Sequence, residues 1–202
     1  MEIFERLETV CGGRWLGISF LSSAENIPAG VKVRQVSRFC EAVKLASRSK
    51  MAVKPAEFTC PGASYAFGGM VDLNEAMIEK MVTLKGYAPD RAAALVEETP
   101  HLSTMPEVIA FDCAPQPDIY FAALQPAQVM RLMQLYGVKL AKKFQPEISS
   151  VISACGNTAV RAYEEQDVAL SFGCDDSRAF GGLSRDRLYV ALPYSLANEM
   201  TQ

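Results

Sequence analysis

The sequence predicts an α/β fold, with α+β as the alternative: a mixed sheet covered by short helices, in two pseudo-symmetric halves. Three observations predict it. Short apolar segments of strand length alternate with short amphipathic ones. Half of the 202 residues are hydrophobic and 21% are charged, the balance of a packed domain. A cysteine pair with its surroundings also occurs twice along the chain. A chain of this length can bury one core without metal or disulfide staples, so residues 1–202 read as a single domain.

Taken in order, residues 3–11 carry Phe4, Leu7, Val10 and Cys11 at helical spacing, with Gly12-Gly13 as a stop. Trp15 to Leu21 reads as a buried strand. Ser37 is a candidate cap for a helix whose apolar face holds Phe39, Cys40, Val43, Leu45 and Ala46. Met51 to Val53 is extended. Thr59 or Cys60 then caps a helix that opens on Pro61. Residues 72–100 form a helical insert of two polar-faced helices, about 74–84 and 89–98, joined at Gly86. Val108 to Cys113 and Asp118 to Ala123 are strands, punctuated by Pro115 and Pro117. Pro126 opens a helix with Val129, Met130, Leu132, Met133 and Tyr136 inward. Val151 to Ala154 is extended, and a capped helix starts at Gly156-Asn157-Thr158. Val168 to Phe172 is a strand, Cys174 begins a short helix ending at Gly181-Gly182, and Leu188 to Leu192 is the last strand. Residues 194–200 close the chain with a helical turn or two.

The repeat is the most informative feature. Cys40 is followed twenty residues later by Cys60, which begins Cys60-Pro-Gly-Ala-Ser-Tyr-Ala-Phe-Gly-Gly69. Cys155 is followed nineteen residues later by Cys174, which begins Cys174-Asp-Asp-Ser-Arg-Ala-Phe-Gly-Gly182. Two divergent copies of one unit, roughly 14–70 and 117–182, are therefore expected. Packed about a pseudo-two-fold axis, they would bring Cys40, Cys60, Cys155 and Cys174 towards one centre.

A thiol at a helix start feels the positive end of the helix dipole, which favours thiolate, the form that binds soft metals and attacks electrophiles. The expected ligand site is Cys60, Gly62, Cys174 and Arg178, with Arg178 one helical turn after Cys174 and able to pair with an anion. Cys40, Cys60, Cys155 and Cys174 are the candidate metal ligands, for an iron–sulfur cluster or another thiolate-bound metal. The alternative is that all are small buried hydrophobes, as expected of Cys11 and Cys113.

Other chemistries lack residues. His101 is the sole histidine, so triads and histidine zinc sites are starved. There is no phosphate-binding glycine loop of the common nucleotide folds. A net charge of −3 and no clustered cations exclude nucleic acid as an expected partner. No segment has the length of a membrane span and no signal peptide is read, so a cytoplasmic protein with reduced thiols is expected.

Several of these segments together resemble a known family. They are Phe39-Cys40-Glu-Ala-Val-Lys-Leu-Ala46, Cys60-Pro-Gly-Ala63, Pro126-Ala-Gln-Val-Met130-Arg-Leu132, Ala154-Cys155, Ser171-Phe-Gly-Cys174-Asp-Asp-Ser-Arg178 and Leu188-Tyr-Val-Ala-Leu-Pro193. In this order they resemble domain-of-unknown-function family 169, from archaea and bacteria. The resemblance implies a cytoplasmic prokaryotic protein with a cysteine-marked core, and it assigns no chemistry. Where that family looks like Gly-Cys-x-Gly-x-Arg, this chain has Asp176 at the second glycine.

The function expected is binding of a small ligand or a redox metal centre through cysteines between the two repeats. A cysteine-dependent enzyme acting on a small anionic substrate is one alternative. A structural or regulatory homodimer whose cysteines only pack is the other.

Overall fold

The computed structural model describes residues 3–69, 72–149 and 151–202. The end of the first repeat unit, at residue 70, lies outside them. In chain order the elements are α1 (Ile3–Cys11), β1 (Trp15–Leu21), β2 (Lys32–Val33), α2 (Phe39–Ala46), β3 (Met51–Val53) and α3 (Pro61–Ala66). Then come α4 (Asp72–Lys85), α5 (Pro89–Glu97), β4 (Val108–Phe111), β5 (Ile119–Leu124), α6 (Pro126–Leu140) and β6 (Ile148–Ser149). A π-helical turn (Cys155–Val160) leads into α7 (Arg161–Glu165), followed by β7 (Ala169–Ser171), α8 (Asp175–Ala179), β8 (Leu188–Pro193) and α9 (Tyr194–Thr201).

The strands form one eight-stranded mixed sheet in the order β2-β3-β4-β1-β5-β8-β7-β6. Its centre is the antiparallel pair β1–β5, with Trp15 opposite Ala122 and Ile18 opposite Ile119. Outward from the centre the same pairings follow on both sides. β1–β4 and β5–β8 are antiparallel, β4–β3 and β8–β7 are antiparallel, and each edge, β3–β2 and β7–β6, is parallel. The parallel edges need crossovers, and these are α2 on one side and the π-turn with α7 on the other. A short helix follows each inner strand of these edges: α3 after β3, and α8 after β7.

Alternation along the central strands divides the core between two helical layers. Leu16, Ile18, Phe111, Ile119 and Phe121 pack with Phe39, Phe67, Ala63, Cys155 and Val96 in the layer of α2, α3, α5 and the π-turn. Trp15, Tyr120, Leu124, Val190 and Leu192 pack with Leu7, Cys11, Leu132, Tyr136 and Met200 of α1, α6 and α9. The first layer is strongly aromatic, with Phe67 contacting Phe20, Phe39 and Phe58 at ring-centroid distances of 5.0–5.8 Å. Each such buried side chain contributes roughly 1.5–3 kcal/mol of transfer free energy.

Three local expectations are corrected, and two strands are added. The N-cap of α2 is Arg38, not Ser37; the Ser37 carbonyl instead accepts the Thr59 and Cys60 N–H groups. Residues 151–154 are turn rather than strand, and the helix after them begins as a π-turn at Cys155. Met130 and Met133 of α6 face solvent, because the buried stripe runs through Val129, Leu132 and Tyr136. Two edge strands of two residues each, β2 and β6, carry too little pattern to be read from sequence.

Candidate functional site

The two short helices α3 and α8 begin on Cys60 and Cys174, which are their N-cap residues. Pro61 presets the first turn of α3, and the two hydrogen bonds to the Ser37 carbonyl (3.1 and 3.0 Å) tie that cap to the start of α2. On the other side, Gly173 precedes the cap at φ +78°, a left-handed conformation suited to glycine. A Cβ there would also lie 2.4 Å from Leu183.

The remaining two thiols lock the halves together reciprocally. Cys40 Sγ, on α2, donates to the Asp176 carbonyl at 3.7 Å. Cys155 Sγ, on the π-turn, donates to the Gly62 carbonyl at 3.6 Å. Each acceptor is the second residue after the other half's cap cysteine, so one half's helix thiol holds the other half's cap loop.

A cavity of about 430 Å³ opens between these elements. Cys60, Gly62, Cys155, Gly173 and Cys174 form one wall, and α4 lays Met77, Lys80, Met81 and Leu84 across it. Asp176 projects into the same region: its Oδ2 lies 3.7 Å from Cys60 Sγ, 3.5 Å from Lys80 Nζ and 3.6 Å from Arg38 Nε. Arg38 is in turn stacked on Phe180, 3.9 Å from the ring centroid. Asp175 pairs with Lys85. Ile152, also on the cavity wall, has φ +45°, a strained conformation for a β-branched residue. The π-turn beside it is the kind of helical irregularity that recurs at functional sites.

Cys40, Cys60 and Cys155 carry raised pKa values. Burial pushes Cys40 up to about 12, with the neighbouring Cys174, Cys60 and Asp176 adding to it. Burial also pushes Cys155 well above the ordinary thiol value, reinforced by Cys60 and Cys174. Cys60 is raised by burial and by the Asp176 charge, against a lowering by the Ala63 backbone N–H. Burial therefore holds Cys40 and Cys155 protonated, as their donation to carbonyls requires. The helix-start effect expected to favour thiolate at Cys60 is outweighed by desolvation.

Of the residues expected to form the site, Cys60, Gly62, Cys155 and Cys174 line the cavity. Cys40 sits behind the wall, against Asp176. Arg178 does not enter the cavity: its guanidinium turns back on its own loop, donating to the carbonyls of Ser184 (3.0 Å) and Phe172 (2.7 Å). One turn of helix puts it on the side of α8 that faces that loop. Among the described residues, no three His, Cys, Asp or Glu side chains converge closely enough to hold a metal ion. The four-cysteine ligand set expected from the sequence is thus close-packed but not arranged as a preformed four-thiolate cage.

Sequence reasoning missed Met77, Lys80, Met81 and the ion-pairing role of Asp176. The i, i+3, i+4 spacing of the first three was a usable signal, masked by the polar character of the rest of α4. His101 stacks on Tyr65 at 4.8 Å and does not line the cavity, and Cys11 is a buried member of the second core layer. No helix among the described residues is long and apolar enough to cross a membrane.

The family profile DUF169, described as "Uncharacterised ArCR", matches residues 13–202. The chain is similar to "Uncharacterized protein MJ0308" of Methanocaldococcus jannaschii, 24% identical over 191 residues, covering 89% of this chain and 81% of that one. No solved structure matches.

Proposed function

The chain belongs to the DUF169 family, and from that premise we propose that it binds a small ligand in the cavity between its halves, through the cap thiols of Cys60 and Cys174. One observation carries the reading: thiols far apart in sequence, and reached by different halves of the sheet, line a single cavity with a cation at its edge. The reciprocal hold of Cys40 and Cys155 on the opposite cap loops gives those two a positioning role. The matching pairing order on the two sides of β1–β5 supports reading the halves as copies of one ancestral unit. Six unpaired cysteines suit a reducing compartment such as the cytoplasm.

A nucleophilic enzyme is the weaker reading, because burial holds the Cys60 thiol in its protonated form. The test is pulse alkylation of the native, oxygen-free protein with iodoacetamide, followed by peptide mapping. Cys60 and Cys174 should be modified first, with Cys11, Cys40 and Cys155 reacting only after unfolding. Uniformly slow modification of all six would leave packing as their sole role.

A further inference from the structure

The cavity wall is unusual in its elements rather than its shape. Three cysteines (Cys60, Cys155, Cys174) and two methionines (Met77, Met81) line it, so the wall is rich in soft sulfur donors. Met77 and Met81 are one helical turn apart on α4 and share the face turned to the cysteines. The carboxylates nearby are already committed, Asp176 to Lys80 and Arg38, and Asp175 to Lys85. No imidazole lines the cavity.

We propose that the cavity binds a soft monovalent metal ion of the copper(I) class, held between Cys60 Sγ and Cys174 Sγ, with the thioethers of Met77 and Met81 as additional donors. Thiolate and thioether ligands select copper(I), whereas carboxylate, carbonyl and imidazole donors suit the harder divalent ions. The geometry points the same way. Structural zinc and iron–sulfur clusters need about four ligands, and no three cysteine, histidine or acidic side chains meet among the described residues. Copper(I) is satisfied by two thiolates in line.

The charge also balances. Binding replaces two thiol protons, which leave to solvent, and two thiolates around one monovalent cation carry one net negative charge. Lys80 Nζ lies at the cavity beside Asp176 and supplies the compensating cation. Cys155 stays a protonated donor to the Gly62 carbonyl and is not a ligand. The inference rests on the reading that Cys60 and Cys174 share one accessible cavity, and its test separates the two.

The full-length reduced protein is titrated, without oxygen, with copper(I) held as its bicinchoninate complex, whose colour fades as the protein withdraws the metal. One equivalent should be withdrawn. Cys60→Ser and Cys174→Ser should each weaken the affinity by at least ~100-fold, beyond the range seen when only outer-shell partners are lost. Met77→Leu with Met81→Leu, a volume-conserving pair expected to keep the fold, should weaken it without abolishing it. Cys113→Ser should change nothing. No withdrawal of copper by a protein whose Cys60 and Cys174 are rapidly alkylated would overturn the metal assignment and leave the ligand cavity standing. Affinity unchanged in both cysteine variants, or tighter binding of zinc(II) in parallel titrations, would overturn it as well. Failure of the alkylation itself would remove the shared cavity on which both rest.

Discussion

Phe67 and Phe180 occupy the same place in two Ala-Phe-Gly-Gly segments, each as the C-cap of a short helix, yet their surroundings differ completely. Phe67 is fully buried among Phe20, Phe39 and Phe58, whereas Phe180 is 44% exposed beneath the Arg38 guanidinium. Phe67→Ala should therefore cost about 3–5 kcal/mol in urea unfolding, and Phe180→Ala about 1 kcal/mol or less. Equal losses would contradict the assignment of only one of them to the core. The identical letters were legible in the sequence; which copy faced inward depended on Phe20, Phe39 and Phe58 closing around Phe67, which no local pattern records. Asp118 offers a residue-scale test by pH. Burial raises its carboxyl pKa, while its Oδ2 accepts the Phe20 N–H at 2.6 Å. The folded chain thus holds that proton more tightly than the unfolded chain. The stability this group gives is complete below the unfolded carboxyl pKa and is lost as pH rises through the carboxylate range. Asp118→Asn keeps an acceptor without titrating. Its stability relative to the parent should climb between acid and neutral pH in urea titrations, and a decline would contradict the sign.

Among the elements, those with strong periodicity and punctuation were legible: α1 before Gly12-Gly13, β1, α3 after Pro61, α6 after Pro126 and β8. The π-turn at Cys155–Val160 was not. Gly156 in this turn lies against Thr99 and Pro100, just past α5, a tertiary contact that no local preference records. A Cβ at Gly156 would fall 2.5 Å from Thr99 Cγ2 and 3.0 Å from the Pro100 carbonyl oxygen, which belongs to the backbone and cannot swing aside. Gly156→Ala should therefore destabilise the fold by roughly 1–3 kcal/mol, with a matching rise in the alkylation rate of the adjacent Cys155. Stability equal to that of the parent would mean that the close approach of α5 to the π-turn is wrong. The strained Ile152 lies in the turn just before it, so the same crowding fixes that part of the cavity wall.

For the whole molecule, the cysteine pairs and the shared tetrapeptide raised the expectation of two related halves; the chain folds into one sheet whose pairings match on the two sides of β1–β5. These pairs also raised the expectation of four thiols drawn towards one centre; Cys60, Cys155 and Cys174 line one cavity, and Cys40 lies behind its wall. They did not foretell the cover. Residues 72–100 looked like padding between repeats, but α4 closes the cavity with Met77, Lys80 and Met81. The i, i+3, i+4 spacing of these three was a sign of that face, masked by the polar rest of the helix. Asp176 is the charged hub of the site, because Lys80 and Arg38 approach it from elements remote in sequence. Cys60 and Cys174 line one cavity from elements remote in sequence, and the proposed binding requires that both thiols be reachable there together. The most direct measurement is treatment of the native reduced protein with dibromobimane, which fluoresces strongly once both of its arms have alkylated thiols. Stoichiometric fluorescence with Cys60 and Cys174 peptides joined is the predicted result. Singly alkylated peptides, or a bridge that leaves out either of these two cysteines, would contradict it.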